Sequence, residues 1–70
     1  MSESWEKVPV GEVRPGSRIR AANGNEVYVS RIDQAFLGRP EMVCFIEDTP
    51  ERWFAQPARL SDTVEVRRPD

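Results

Sequence analysis

The sequence predicts an all-β protein, a small five-stranded barrel with a short 3-10 turn before its last strand. Three observations lead to this class. Apolar and polar residues alternate in "RIRAA", "EVYV" and "TVEV", the period-two signature of half-buried strands. Glycine, proline and asparagine punctuate the chain at short intervals, most clearly at Asn23, Gly24 and Asn25, where Asn-Gly suits a tight hairpin turn. The chain has 70 residues, room for one domain, and a domain of that size buries only about 60% of its unfolded surface. Support from a partner or from self-association is therefore expected.

In chain order, residues 1–4 are polar and expected to fray, with the domain over 5–68 and a tail at 69–70. "WEKVPV" supplies Trp5, Val8 and Val10, and Pro9 confines any strand here to an edge. Gly11, Pro15 and Gly16 read as a turn. Ile19 and Ala21 then alternate with Arg18 and Arg20. In "EVYVSRI", Val27 and Val29 point one way and Tyr28 the other, but Ile32 falls on the wrong parity. A bulge or sharp bend at Ser30 would restore the alternation. "DQAFLGRPE" is a turn region, with Phe36 and Leu37 folded back against the body. "MVCFIED" is the most apolar stretch and the expected central strand. A single helical turn is expected at "QPARL", and Val64 and Val66 alternate with Glu65 and Arg67 in a last strand.

The stretch "CFIEDTPERWFAQP" admits two readings, a short helix or a hairpin. Asp48 or Thr49 would serve as an N-cap and Pro50 fits a first turn, yet Pro57 leaves barely two turns and "RWF" prefers a strand. Proline cannot adopt the positive φ of a primed two-residue turn, so the hairpin takes a four-residue loop, Asp48 to Glu51. Ile46 then faces Trp53, Phe45 faces Phe54, Glu47 faces Arg52, Cys44 faces Ala55 and Val43 faces Gln56. One side becomes Met42, Cys44, Ile46, Trp53 and Ala55, a natural core face. The other becomes Val43, Phe45, Phe54 and Gln56, ending in a Glu47/Arg52 ion pair. The hairpin is favoured on these pairings.

Composition excludes several classes of function. There is one cysteine, Cys44, and no histidine, so no intrachain disulfide forms and an ordinary zinc site lacks its ligands. The commonest general base is missing too. "MVCFI" is far shorter than the roughly 20 residues that span a bilayer, and "MSESWEKV" has no secretory pattern. A cytoplasmic protein follows, with no membrane contact and no cofactor. Twelve acidic and ten basic residues give a net charge of −2, which argues against a general phosphate-backbone binder. Nine of the basic residues are arginine, a side chain suited to bidentate contacts but also a product of compositional bias.

Turns and alternation in "GSRIRAANGNEVYVSRI", "EMVCFIEDTPERWFAQPARL" and "TVEV" resemble the SH3-like small barrels, including Tudor and KOW-type domains, and are broadly similar to small bacterial barrel proteins. The pattern covers about three quarters of the chain. It implies a fold and no particular activity. The dense acidic and aromatic pattern with which signalling SH3 domains bind proline-rich peptides is absent.

Three constellations are candidates for function. The first is Val43, Phe45 and Phe54 beside Glu47 and Arg52, exposed aromatics rimmed by charge as at the centre of an interface. The alternative is that Trp5 and Val8 lie over these rings and complete the core. Tyr28 and Phe36 would extend the patch or, with Trp5, form a partial cage for a cation. The second is Glu47, Asp48 and Glu51, which read as solvated turn residues because "EDTPE" lacks the ligand spacing of a calcium loop. The third is an arginine face, Arg18 and Arg20 joined by Arg67 and Arg68, for phosphates or an acidic partner; a charged strand face interleaved with Glu26 and Glu65, which also discourages edge-to-edge aggregation, is the better account. Cys44 is expected in the core as a small hydrophobe. The leading expectation is a non-catalytic regulatory module that binds another protein through the hairpin's aromatic side. A nucleic-acid binder using the arginine face comes second, and a symmetric oligomer with a ligand site at its axis third.

Overall fold

The computed structural model describes residues 4–68, with the side chain of Arg68 outside that description. Of the N-terminal stretch 1–4 expected to fray, residues 1–3 lie outside the described residues, as does the tail at 69–70, while Ser4 opens the first strand. Among the described residues there are seven strands: β1 (Ser4–Pro9), β2 (Arg18–Arg20), β3 (Glu26–Tyr28), β4 (Arg31–Gln34), β5 (Met42–Asp48), β6 (Trp53–Arg59) and β7 (Thr63–Arg68). They form two antiparallel sheets, one ordered β1-β7-β2-β3 and the other β4-β5-β6. The all-β class stands, but five strands in a closed barrel do not: there are seven strands in two sheets. The 3-10 turns fall at Val10–Glu12 and Phe36–Gly38. "QPARL" is not one of them, since Gln56 to Arg59 continue β6.

The expected single strand "EVYVSRI" is divided between the sheets. Val27 and Val29 are fully buried, after which the chain leaves β3 and enters β4 at Arg31. The break at Val29 and Ser30 is the parity change that Ile32 requires, and Ile32 packs against the core from the second sheet. Ser30 anchors the crossing, donating its N–H to the Ile46 carbonyl at 2.8 Å and accepting the Asp48 N–H on its hydroxyl at 2.9 Å. A polar residue is needed there because both backbone and side chain are used.

The β2–β3 connection also differs from a two-residue hairpin. Gly24 donates to the Ala21 carbonyl at 2.9 Å, Ala21 donates to the Asn25 carbonyl at 2.8 Å, and Gly24 sits at φ +90°. Asn23 stays at negative φ and its side-chain oxygen accepts the Asn25 N–H at 3.1 Å. Glycine supplies the left-handed residue of a bulged turn, and asparagine braces it from the side chain.

The core draws on both sheets. Val10, Val13, Ile19, Val27, Val29, Val64 and Val66 meet Val43 and Phe45, with Val8, Phe54 and Ala58 packed around them. At about 25 cal/mol per Å² of apolar surface, each such side chain contributes roughly 1.5–3 kcal/mol when fully buried. Phe45 is 0% exposed and is the largest of the fully buried side chains.

Candidate functional site

The β5–β6 stretch is a hairpin, and its register differs from expectation by two residues. Ile46 pairs with Ala55, Phe45 with Gln56, Cys44 with Pro57, Val43 with Ala58, Glu47 with Phe54 and Asp48 with Trp53. The four-residue loop is Thr49 to Arg52, closed by the Thr49 N–H to the Arg52 carbonyl at 3.1 Å. A slip of two preserves every side chain's face. The composition of the two faces is therefore as expected, but their orientation is reversed.

Val43 and Phe45 lie in the core, and Phe54 is half-buried against it. The opposite face, expected to be internal, carries Trp53 at 61% exposure. Alternation places Met42, Cys44, Ile46, Ala55 and Pro57 on that same side, together with Arg31 and Asp33, which pair with Ile46 and Cys44 across β4 and β5. Cys44 and Ile46 are buried but do not belong to the core cluster. Burial and, second, the nearby Asp33 carboxylate push the Cys44 thiol above its ordinary value, with the Gln56 backbone acting weakly against them. Such a thiol is a small hydrophobe in practice. The result is an apolar sheet face with a tryptophan at its edge and the Arg31–Asp48 ion pair, 3.1 Å, beside it. β6 is an edge strand, where Pro57 costs no ladder hydrogen bond.

The Glu47/Arg52 ion pair forms at 2.9 Å, although the two are not cross-strand partners. Glu47 points inward and is 6% exposed. Its carboxylate accepts hydrogen bonds from Arg52, from the Tyr28 N–H at 3.0 Å and from the Thr49 hydroxyl at 3.3 Å. The bond from Arg52 is the largest influence holding its carboxyl below the ordinary value; burial opposes it, and the Tyr28 bond and the Arg52 charge reinforce it. Arg52 also donates to the Glu26 carbonyl and lies over the Phe54 ring, 4.9 Å from its centroid. This group joins β3 of one sheet to β5 and β6 of the other. Of the residues expected at a partner site, the structure brings together Glu47, Arg52, Phe54 and the backbone of Tyr28 as an internal clip. Phe36 is apart from them, half-buried in the second 3-10 turn.

Three of the four residues expected on the arginine face, Arg18, Arg20 and Arg67, lie on one side of the first sheet, while the side chain of Arg68 is outside the described residues. Lys7 and Arg20 both pair with Glu65, Trp5 pairs with Arg67, and Arg18 pairs with Tyr28, so these side chains share the outer side of the first sheet. Arg20 bonds Glu65 at 2.8 Å and covers the Trp5 ring at 4.4 Å. That contact occupies Trp5 with a cation from the same chain. The Arg20 bond, more than any other influence, lowers the Glu65 carboxyl below its ordinary value. Arg68 pairs with Ser4 at the end of β7.

Among the described residues no cluster of three or more metal-ligating side chains occurs, and no helix is long and apolar enough to cross a membrane. No family model, curated protein or solved structure matches the chain.

Trp53 is the residue that sequence reasoning misplaced. The signal that identifies its face is in β4: Ile32 must point inward, so its neighbours Arg31 and Asp33 point outward and mark the side of β5 they pair with.

Proposed function

We propose that the protein is a non-catalytic, cytoplasmic binding module that engages another protein through the outer face of the β4–β5–β6 sheet. The supporting observation is Trp53, largely exposed on an apolar sheet face. Tryptophan is among the side chains enriched in interface hot spots, and rings provide contact area at small entropic cost. The charged residues on the same face include both signs: Asp48 pairs with Trp53 and is bonded by Arg31, while Asp33 and Arg59 lie further along the strands. Absence of histidine and burial of Cys44 support a non-catalytic role.

The test is capture of partners from host lysate by the tagged chain, in parallel with Trp53→Ser and with nuclease treatment. A protein retained by the wild type should bind Trp53→Ser roughly thirtyfold more weakly, as expected for a hot spot of about 2 kcal/mol. Equal retention by the two proteins rules the face out.

A second reading is supported by the other sheet, where Arg18, Arg20, Arg67 and Lys7 accompany Trp5 and Tyr28. Aromatic rings between cations are the composition of single-strand nucleic-acid surfaces. The net charge of −2 and the interleaved Glu26 and Glu65 weigh against it. Binding of a single-stranded oligonucleotide, followed by anisotropy, should weaken steeply with salt if this face is used; a flat salt response discards it.

A further inference from the structure

A cleft of about 300 Å³ opens beside the first 3-10 turn, away from both sheet faces described above. Its apolar wall includes Val13, Ile32, Val43 and Leu60, and its polar lining is Arg14 and Gln34. No acidic residue lines it. Arg14 has no ion-pair partner among the described residues, as is also true of Arg18 and Arg59, but of these three only Arg14 lines the cleft. Its backbone is nevertheless fixed: buried Val13 precedes it, Pro15 follows it, and its carbonyl accepts the Ser17 N–H at 3.2 Å. Leu60 is held from the other side by its N–H to the Glu41 carbonyl at 2.8 Å. A cleft with an apolar wall and a small number of polar groups is the usual form of a small-ligand site, and this volume is at the lower end of the range.

We propose that this cleft binds a small carboxylate with a short apolar tail, the tail against Val13, Ile32, Val43 and Leu60 and the carboxylate on Arg14, with the Gln34 amide as a second donor. Arginine presents a planar fork that matches a carboxylate, and an apolar wall without acidic groups favours an anion over a cation or a zwitterion. The ligand is a free acid and not a chain terminus, because the cleft's volume is that of a small-molecule site.

The proposal is tested by titrating the isotope-labelled full chain with hexanoate and following backbone amide signals. Saturable shifts confined to residues 10–16, 32–34, 43 and 60 are expected. Arg14→Gln, a change at an exposed position, should weaken binding roughly tenfold or more, the worth of a hydrogen bond to a charged group; hexanol should bind as weakly to the wild type as hexanoate binds to that variant. Gly11→Leu should abolish binding, since a side chain at Gly11 grows towards Leu60, whose Cδ2 would lie 3.6 Å from the new Cβ. Equal binding of hexanol and hexanoate, no effect of Arg14→Gln, or shifts scattered over the surface would overturn the proposal. Tighter binding of a short peptide ending in a free leucine carboxylate would overturn the free-acid assignment.

Discussion

Glu47 shows how a charged residue in a strand comes to lie inside. An isolated carboxylate in the interior is prohibitively costly, but this one accepts three hydrogen bonds, including one from the Arg52 guanidinium. Removing the acceptor leaves the Tyr28 N–H without its partner at a part-buried position. Glu47→Ala is therefore expected to destabilise the fold by about 2 kcal/mol, the cost of an orphaned donor together with a lost charged bond, measured by urea denaturation. The pH dependence follows from the direction of the shift. The folded-state carboxyl is held below its ordinary value, so the folded state binds fewer protons than the unfolded chain in the acid range. Stability from Glu47 is complete above the ordinary carboxylate value and is lost as the pH falls through the folded-state value. Glu47→Gln should flatten that acid-side loss, and a profile as steep as that of the wild type would show that another carboxylate dominates.

Among the elements, β5 separates what alternation encodes from what it leaves open. Its run from Met42 to Ile46 is apolar on both sides, so period two assigns residues to two faces without saying which is inside. In the sequence, uniform apolarity points to the side with Met42, Cys44, Ile46, Trp53 and Ala55 as the inside, and the pairing of Glu47 with Arg52 sets the register. The hairpin instead moves two residues along, and Arg52 reaches Glu47 from the loop while its backbone closes the turn at Thr49. Strands with one polar side, β2 and β7, were legible, because Arg18, Arg20 and Glu65 alternate with Ile19, Val64 and Val66 and leave one apolar side to face the core. The break near Ser30 was legible from the parity of Ile32, but as a bulge or bend within one strand; that it divides β3 from β4 and sends them to different sheets was not. Strand count and closure were not, since pairing between distant segments such as β1 and β7 leaves no mark in local alternation. Turn chemistry is intermediate: Asn-Gly located the β2–β3 connection, while the structure assigns the positive φ to Gly24 alone. Gly24→Ala must hold a Cβ residue at φ +90° and is expected to cost about 1 kcal/mol or more. Gly11→Ala, free of that strain and at ordinary contact distance from Leu60, should leave the denaturation midpoint nearly unchanged. Equal effects of the two would contradict the turn geometry.

For the whole molecule, the pairing of β1 with β7 joins the two ends of the described chain, residue by residue from Ser4 with Arg68 to Pro9 with Thr63. In the order β1-β7-β2-β3, β1 is the edge and β7 is internal. The two ends of the fold therefore depend on each other. β1 brings little apolar surface, since Val8 is its main contribution to the core, yet it occupies the backbone groups of β7 on one side. Pro9 in the outermost strand also blunts an edge that would otherwise invite pairing with another chain. Deleting residues 1–9 is expected to lower stability by about 2 kcal/mol or more, from the lost burial of Val8 and the released β7 ladder. That is a large share of the margin of a domain this small. It should also expose the β7 edge, so that the truncated chain self-associates with increasing concentration in sedimentation while the full chain does not change. If the truncated chain keeps both the urea midpoint and the sedimentation behaviour of the full chain, β1 is an appendage, and the first sheet must be complete with β7 at its edge.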